Sequence, residues 1–186
     1  VQLQLFGAEI YVADLVALAM SREMGALMTA IIIAGRSGAA FTAHIGSMKV
    51  SEEIDALNTF GFSPIDLLVT PRFVALILMM PLLTIYSDFI GMFGGLIIGV
   101  TMLDLPVMQY LYETRDTLSL THISIGLFKS VVFGALIAVC GCLQGMRCGS
   151  NASAVGDATT KAVVSSIVLI VLADALFAVL CNILSI

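Results

Sequence analysis

Residues 73–101 read FVALILMMPLLTIYSDFIGMFGGLIIGVT, an apolar stretch whose single charged side chain is Asp88. The hydrocarbon core of a bilayer is about 30 Å thick, and a helix needs roughly 20 apolar residues to cross it. The stretch is long enough to cross a membrane with some tilt. It therefore predicts a transmembrane helix.

Three further apolar stretches of similar length cover residues 12–34, 123–145 and 162–186. The whole chain is 60% hydrophobic and only 11% charged, which leaves too few polar groups to coat a soluble all-helical core, the alternative fold. We predict an all-α integral membrane protein with four transmembrane helices in one domain over residues 1–186. Residues 103–122 are predicted to form a polar, aromatic loop.

The charged residues indicate an orientation and exclude one class of partner. The net charge of -5 and only eight scattered basic residues argue against nucleic-acid binding.

Cytoplasmic loops are enriched in Lys and Arg, and one side of the predicted bundle carries most of them, with Arg115 alone opposite. The basic side carries Arg36, Lys49, Arg72, Arg147 and Lys161. That side is therefore predicted to be cytoplasmic.

Residues 51–61, SEEIDALNTFG, have the chemistry of a short cytoplasmic helix. Ser51 is the predicted N-cap, and the acids Glu52, Glu53 and Asp55 lie in the first turn, where the helix dipole favours anions. Helical spacing places Val50, Ile54, Leu57 and Gly61 on one apolar face. The helix could lie on the membrane surface, but surface helices favour Lys and Arg, so the acids favour docking on a protein partner.

Each predicted span carries at least one charged residue well inside it. At 1.5 Å per residue from the basic anchors, these residues lie at depths of roughly 20 to 27 Å. They are Arg22, Glu23, Asp88, Lys129 and Asp174. Such charges are costly in hydrocarbon, so they are expected to pair or to face a wet cavity. Two interpretations remain open. The charges form a buried ion-pair network or simply snorkel to the outer interface, or they form the polar end of a substrate cavity.

Glycines recur every fourth residue in two places, Gly91-Gly95-Gly99 and Gly141-Gly145-Gly149. Such stripes allow close helix approach, either within one chain or between subunits. His44 and His122 are isolated, and the spacing of Cys and His predicts no metal site. The sequence has no GxxxxGK[ST] loop, HExxH or GxSxG, so any ATP must bind to another subunit.

Residues 21–73, SREMGALMTAIIIAGRSGAAFTAHIGSMKVSEEIDALNTFGFSPIDLLVTPRF, closely resemble the MlaE-type (YrbE-like) permeases of MCE-associated ABC lipid transporters. The resemblance continues through PLLTIYSDFIGMFGG (81–95), KSVVFG (129–134) and GDATTKAVVSS (156–166). It covers nearly the whole chain and implies a multi-pass permease of the bacterial inner membrane, with phospholipid as substrate.

The resemblance also implies partners. These are a second permease copy, two cytoplasmic ABC ATPase subunits that bind ATP and Mg, and a periplasmic MCE-domain lipid-binding protein. The permease itself would be non-hydrolytic and bind no cofactor, and its transporter would maintain outer-membrane lipid asymmetry. Family members have five spans after an N-terminal interfacial helix, so this chain is expected to lack the first span. An ion-coupled secondary transporter that uses Glu23, Asp88 and Asp174 is the rival hypothesis, and a non-transporting membrane scaffold is a third.

Family resemblance assigns two sites. The ATPase-coupling helix corresponds to EEIDAL, and with its cap it comprises Ser51, Glu52, Glu53, Ile54, Asp55 and Leu57. The lipid cavity carries over to Leu3, Leu5, Phe6 and Glu23. Many relatives read AAELG or TAEIG where this chain has TAHIG, so His44 replaces an anionic contact with a titratable one.

Overall fold

The computed structural model describes residues 11–103 and 105–183, and the long elements within them are helices. In chain order these helices are α1 (Tyr11–Val50), α2 (Glu53–Thr59), α3 (Ile65–Met102), α4 (Val107–Thr117), α5 (Leu120–Met146) and α6 (Ala152–Ile183). Of these, α1, α3, α5 and α6 are long and apolar enough to cross a membrane. The prediction of an all-α protein with four transmembrane helices is confirmed.

The helices extend beyond their predicted ends, most of all on the side that carries the basic residues. Helix α1 continues to Val50 instead of ending at residue 34, and α6 begins at Ala152 instead of residue 162. Apolar composition marks only the part of a helix inside hydrocarbon, whereas its backbone hydrogen bonds continue into water. We call this side the basic end of the bundle.

The other three long helices, α1, α3 and α6, pack around α5. Helices α1 and α3 run antiparallel, since Gly91 meets Met20 and Gly95 meets Val16. The core contains mostly small side chains from α1 and larger ones from the other helices: Ala26, Ala30, Ala34, Leu76, Met80, Phe133, Ile137, Ala138 and Ile170. Large apolar side chains on the outer faces, such as Leu78, Phe89 and Leu172, are exposed, as expected for surfaces that contact lipid.

Two glycines, Gly38 and Gly141, allow a close approach of α1 and α5. A Cβ atom added to Gly141 would lie 2.9 Å from the carbonyl oxygen of Gly38. The hydroxyl of Thr42 lies between the helices, 3.0 Å from the Gly38 carbonyl and 2.8 Å from that of Gly141. At this position the glycine stripe packs two helices of one chain, which was one of the two interpretations left open by the sequence.

Gly141→Ala is expected to lower the free energy of unfolding by about 1–3 kcal/mol, because the added methyl group meets backbone that cannot move aside. The matched control is Gly35→Ala, whose added Cβ would have no neighbour within 4 Å. Thermal unfolding in detergent, followed by size-exclusion chromatography, compares the two variants. Equal melting temperatures would contradict the proposed close packing.

Residues 103–122 were predicted to be a loop, and that prediction is wrong for α4. This helix packs against α1 and α3 and buries Tyr110, which is 2% exposed. Thr117 donates a hydrogen bond to Asp14 Oδ1 of α1 at 2.6 Å. The hydroxyl of Tyr110 faces Gly95, and burial raises its pKa above the ordinary value of 10.0. The segment is polar overall, but one buried aromatic residue anchors it to the bundle.

Tyr110→Phe is expected to leave stability unchanged or to raise it by up to about 1 kcal/mol. The reason is that the buried hydroxyl has no hydrogen-bond partner among the described residues, and removing an unsatisfied polar atom ends its desolvation cost. Tyr110→Ala instead leaves a cavity and is expected to cost about 3–5 kcal/mol. The melting temperatures of both variants test this, and a Phe variant as unstable as the Ala variant would refute it.

Candidate functional sites

Lys129 is completely buried and lies between two carboxylates from other helices. Its Nζ donates hydrogen bonds to Glu23 Oε2 of α1 at 2.5 Å and to Asp174 Oδ1 of α6 at 3.2 Å. The side chains of Glu23 and Asp174 are 32% and 21% exposed. A buried lysine needs such partners, since an unpaired ammonium is very costly in a low-dielectric medium. We call these three residues the ion triad.

Glu23, the residue that α1 contributes to the ion triad, lies in a π-turn. Within Met20–Met24 the hydrogen bonds skip one more residue than in an α-helix, and the N–H of Gly25 bonds to the carbonyl of Met20. Single π-turns inside α-helices occur frequently at functional sites. Just beside the π-turn, Gly126 of α5 packs against the backbone carbonyl of Ser21. This close packing brings α5 near enough for Lys129 to reach Glu23.

Asp88 and Arg22, the other two members of the predicted charge layer, lie outside the ion triad. Asp88 of α3 is 8% exposed and packs against Gly25, where any side chain would overlap its carboxylate. Its Oδ1 has no hydrogen-bond partner among the described residues. Arg22 is half-buried in the same π-turn as Glu23. The structure therefore places all five residues in one region, and it brings Glu23, Lys129 and Asp174 together in the ion triad.

An apolar groove of about 530 Å³ adjoins the ion triad between α5 and α6. It is lined by Ser124, Ile125, Phe128, Lys129, Phe177, Leu180 and Cys181. Phe128 and Phe177 meet edge to face with ring centroids 5.9 Å apart. Its volume lies in the range of small-molecule sites, and it combines apolar walls with a charged group at one side. This groove could not be predicted from the sequence, because its walls come from residues about 50 positions apart.

Helix α2 begins differently from the prediction. Ser51 is not its N-cap: it follows the last residue of α1 and its hydroxyl bonds back to the Ser47 carbonyl at 3.1 Å. Glu52 is the residue before the helix, with a φ of 61°, in the left-handed region. A left-handed residue is needed here because the chain must turn sharply between two helices, and a non-glycine residue bears strain in that conformation.

Apolar side chains, above all that of Ile54, fix α2 to the bundle. Ile54 is 7% exposed and packs in a cluster with Ile45 of α1, Leu68 of α3 and Cys142 of α5. Leu57 is partly buried against the same cluster. The predicted apolar face is thus formed by Ile54 and Leu57. Through it, α2 contacts the spans α1, α3 and α5.

The acids at the start of α2 are exposed. Glu52, Glu53 and Asp55 face outward, and Glu53 accepts a hydrogen bond only from the nearby Ser51 hydroxyl, at 2.9 Å, among the described residues. Because these acids contribute little to packing within the chain, their side chains remain available to a partner. The surface formed by Glu52, Glu53 and Asp55 is called the acidic face below.

Helix α2 ends in a glycine-stabilised turn that exposes two aromatic rings. Gly61 has a φ of 81°, its N–H bonds to the carbonyl of Asn58, and the N–H of Phe62 bonds to that of Leu57. This is the pattern of a Schellman motif. Phe60 and Phe62 are 77% and 59% exposed. These rings were not predicted, although two phenylalanines flanking the glycine at a helix C-terminus are a signal visible in the sequence.

The sequence matches a known protein family. The family model for the permease MlaE matches residues 1–180. The chain belongs to the MlaE permease family. This confirms the resemblance proposed from residues 21–73 and the motifs that follow them.

Individual MlaE-family relatives agree over most of the chain. A probable ABC transporter permease protein of Rickettsia typhi is 41% identical over 169 residues, which are 91% of this chain and 65% of the relative. One from Synechocystis is 40% identical, over 91% of this chain and 64% of the relative. The chloroplastic protein TRIGALACTOSYLDIACYLGLYCEROL 1 of Arabidopsis thaliana is 38% identical, over 88% and 47%. The chain therefore matches just under two thirds of the length of its bacterial relatives.

The lipid-cavity residues assigned from the MlaE family fall in two groups. Leu3, Leu5 and Phe6 lie outside the described residues. Glu23 is described, and it is a half-exposed member of the ion triad. The only part of the assigned cavity that the structure describes is therefore its charged part.

His44, the departure from the MlaE-family pattern, contacts an arginine at the basic end. Its Nδ1 accepts a hydrogen bond from Arg72 Nη2 at 3.0 Å, while Arg72 Nη1 donates to the Leu68 carbonyl at 2.8 Å. A glutamate at position 44 would have met Arg72 as a full ion pair. The histidine keeps the contact through a neutral acceptor nitrogen.

Arg36 lies inside α1 and not in a loop after residue 34, where the sequence placed it. It precedes His44 by two helical turns within α1, so it lies about 12 Å further into the bundle than the Arg72 contact. There it lines a groove of about 490 Å³ between α1 and α3, together with Thr29, Tyr86 and Ser87. The basic end therefore carries Lys49, Arg72, Arg147 and Lys161, still against Arg115 alone at the other end.

Proposed function

We propose that the chain is the transmembrane permease subunit of an ATP-driven ABC transporter that moves phospholipid between the inner membrane and the cell envelope. The observation that carries the proposal is the acidic face of α2, held at the basic end of the bundle by Ile54. A short helix that is fixed to three spans and exposes unpaired acids has the properties of a docking element for a basic partner surface.

The partner in this proposal is an ATPase. The bacterial relatives are named as ABC transporter permeases, which work with ATP-binding subunits, and this sequence has no nucleotide-binding loop of its own. Two ATPase subunits would bind ATP and Mg and dock on the α2 helices of two permease copies. Their closure would press on α2, and Ile54 would pass the displacement to Ile45, Leu68 and Cys142.

The cargo in this proposal is a phospholipid. The chloroplast relative is named for a diacylglycerol galactolipid, which supports a lipid substrate. The groove beside Lys129 combines apolar walls with charged groups, as a molecule with acyl chains and a polar head requires. An MCE-domain protein on the far side of the membrane would receive or deliver the lipid, and the transporter would maintain outer-membrane lipid asymmetry.

The second candidate function is an ion-coupled secondary transporter, which the ion triad favours. Carboxylates paired with a buried lysine inside a membrane are typical of proton relays. In this scheme protonation of Glu23 or Asp174 would release Lys129. No ATPase would be required.

Reconstitution of the full-length protein with its ATPase in vesicles separates the two functions. Fluorescent phospholipid movement is measured with ATP, with a non-hydrolysable analogue, and with a proton gradient alone. ABC transport predicts movement only with hydrolysable ATP and no effect of an ionophore. Movement that persists without ATP and stops when the gradient is collapsed would refute it in favour of the ion-coupled scheme.

A further inference from the structure

A groove of about 440 Å³ runs along the surface between α5 and α6 at the basic end. It is lined by Gln144, Thr160, Lys161, Val164, Ser165 and Val168. A smaller depression of about 150 Å³ shares Gln144 and Lys161 with it and adds Arg147 and Asp157. The two form one continuous surface feature, which we call the α5–α6 trench. It is separate from the groove beside Lys129, whose lining residues lie nearer the other ends of α5 and α6.

Two of the four basic residues at this end are available to a ligand. Lys49 Nζ donates to the Met146 carbonyl at 2.8 Å, and Arg72 donates to the Leu68 carbonyl and His44. Arg147 and Lys161 are exposed, and within residues 11–103 and 105–183 neither side chain forms a hydrogen bond or a salt bridge. Both line the trench, where Asp157 is the acidic lining residue. The mouth of the trench therefore carries a net positive charge.

The trench becomes apolar toward the centre of the membrane. Val164 and Val168 follow Lys161 on α6 by one and two helical turns, about 5 and 10 Å further into the bundle. Both side chains are more than half exposed. A cationic mouth at the interface followed by an apolar strip along a helix matches a phospholipid, whose phosphate lies at the interface and whose acyl chain runs along the helix.

We propose that the α5–α6 trench binds an anionic phospholipid from the leaflet at the basic end. Its phosphate lies between Arg147 and Lys161, and one acyl chain lies along Val164 and Val168. The positive-inside rule makes this the cytoplasmic leaflet, where anionic lipids attract basic pockets between transmembrane helices. The trench is a resident-lipid site, independent of the transported lipid and of the energy source.

Native mass spectrometry of the delipidated full-length protein, titrated with phosphatidylglycerol or phosphatidylcholine, tests the site. The parent protein is expected to retain phosphatidylglycerol in preference to phosphatidylcholine. Arg147→Gln/Lys161→Gln is expected to weaken phosphatidylglycerol binding roughly tenfold or more, since each basic residue near an anionic surface contributes about fivefold. Val168→Trp fills the apolar strip and is expected to reduce retention without changing any charge. Arg115→Gln, an exposed arginine at the opposite end, is the charge-matched control and should behave like the parent.

Several outcomes would overturn the proposal. If the double variant binds phosphatidylglycerol like the parent, Arg147 and Lys161 do not contact the headgroup. If it loses both lipids equally, the trench does not select an anionic headgroup. Loss in Val168→Trp but not in the double variant would leave only an apolar lipid contact. If the double variant loses a protein subunit from the assembly while its lipid content is unchanged, the trench is a protein interface. Circular dichroism of each variant shows whether the fold is intact.

Discussion

Lys129→Met is expected to lower the free energy of unfolding by about 3–5 kcal/mol, because it leaves Glu23 and Asp174 without the cation that both of them bind. This is a large fraction of the stability of a typical domain, so we expect low accumulation in the membrane and early thermal aggregation. Fluorescence-detected size-exclusion chromatography after heating measures the effect. Arg115→Met, which removes an exposed charge, is the control and should melt like the parent.

A triple variant separates a structural role of the ion triad from a functional one. Glu23→Gln/Lys129→Met/Asp174→Asn keeps similar side-chain volumes and removes all three charges together. Replacing a whole buried ion cluster by neutral groups is often neutral or stabilising, so the triple variant should recover most of the lost stability. If it also recovers lipid transport, the triad only holds α1, α5 and α6 together. A stable triple variant without transport assigns the charges a role in moving the substrate.

A small change in the melting temperature of Lys129→Met would contradict the prediction. If Lys129→Met alone melts within about 2 °C of the parent, its loss costs less than roughly 1 kcal/mol. Lys129 could then not be the buried centre of an ion cluster. Such a result would also remove the observation that favours an ion-coupled transporter.

The existence of the four spans could be predicted because it depends on one local property, apolar length. The ends could not, since α1 continues as a helix to Val50, past its predicted end at residue 34. Helix α4 was missed because its sequence is polar and aromatic on average. The one fully buried side chain of this helix is Tyr110, and one residue gives no periodic pattern.

The candidate sites, too, could be predicted from the sequence only in part. Residue counts from the basic anchors predicted that Glu23, Lys129 and Asp174 lie at similar depths. Their pairing could not be predicted, because it joins residues far apart in sequence and depends on how α5 packs against the π-turn. The acidic face was recognised because three acids in four residues are a local signal. The left-handed Glu52, which displaces Ser51 from the cap, is a consequence of the tight turn between α1 and α2 and has no sequence signal.

Glu53→Lys/Asp55→Lys is expected to release the partner ATPase from the permease, with a loss of affinity of roughly 100-fold or more. Like charges placed against a complementary surface cost several kcal/mol. Both side chains are exposed, so the permease itself should remain folded. Affinity purification of the tagged permease, followed by quantification of bound ATPase, measures the loss. Asp116→Lys, an exposed acid on α4 at the opposite end, is the matched control and should retain the ATPase. Retention by the double variant would show that the acidic face is not the docking surface.

Ile54→Ala distinguishes docking from coupling on the same helix. It leaves Glu52, Glu53 and Asp55 in place but removes the side chain that contacts Ile45, Leu68 and Cys142. The ATPase should still bind and hydrolyse ATP, whereas ATP-driven lipid movement should fall, because a displaced α2 no longer presses on α1, α3 and α5. Ile54→Val, which loses one methyl group and costs about 0.5–1.5 kcal/mol, is expected to retain most transport. If Ile54→Ala releases the ATPase as completely as the charge reversal does, the two roles are not separable, and docking itself depends on how Ile54 orients the helix. If transport by Ile54→Ala equals that of the parent, force reaches the spans by a route other than this cluster.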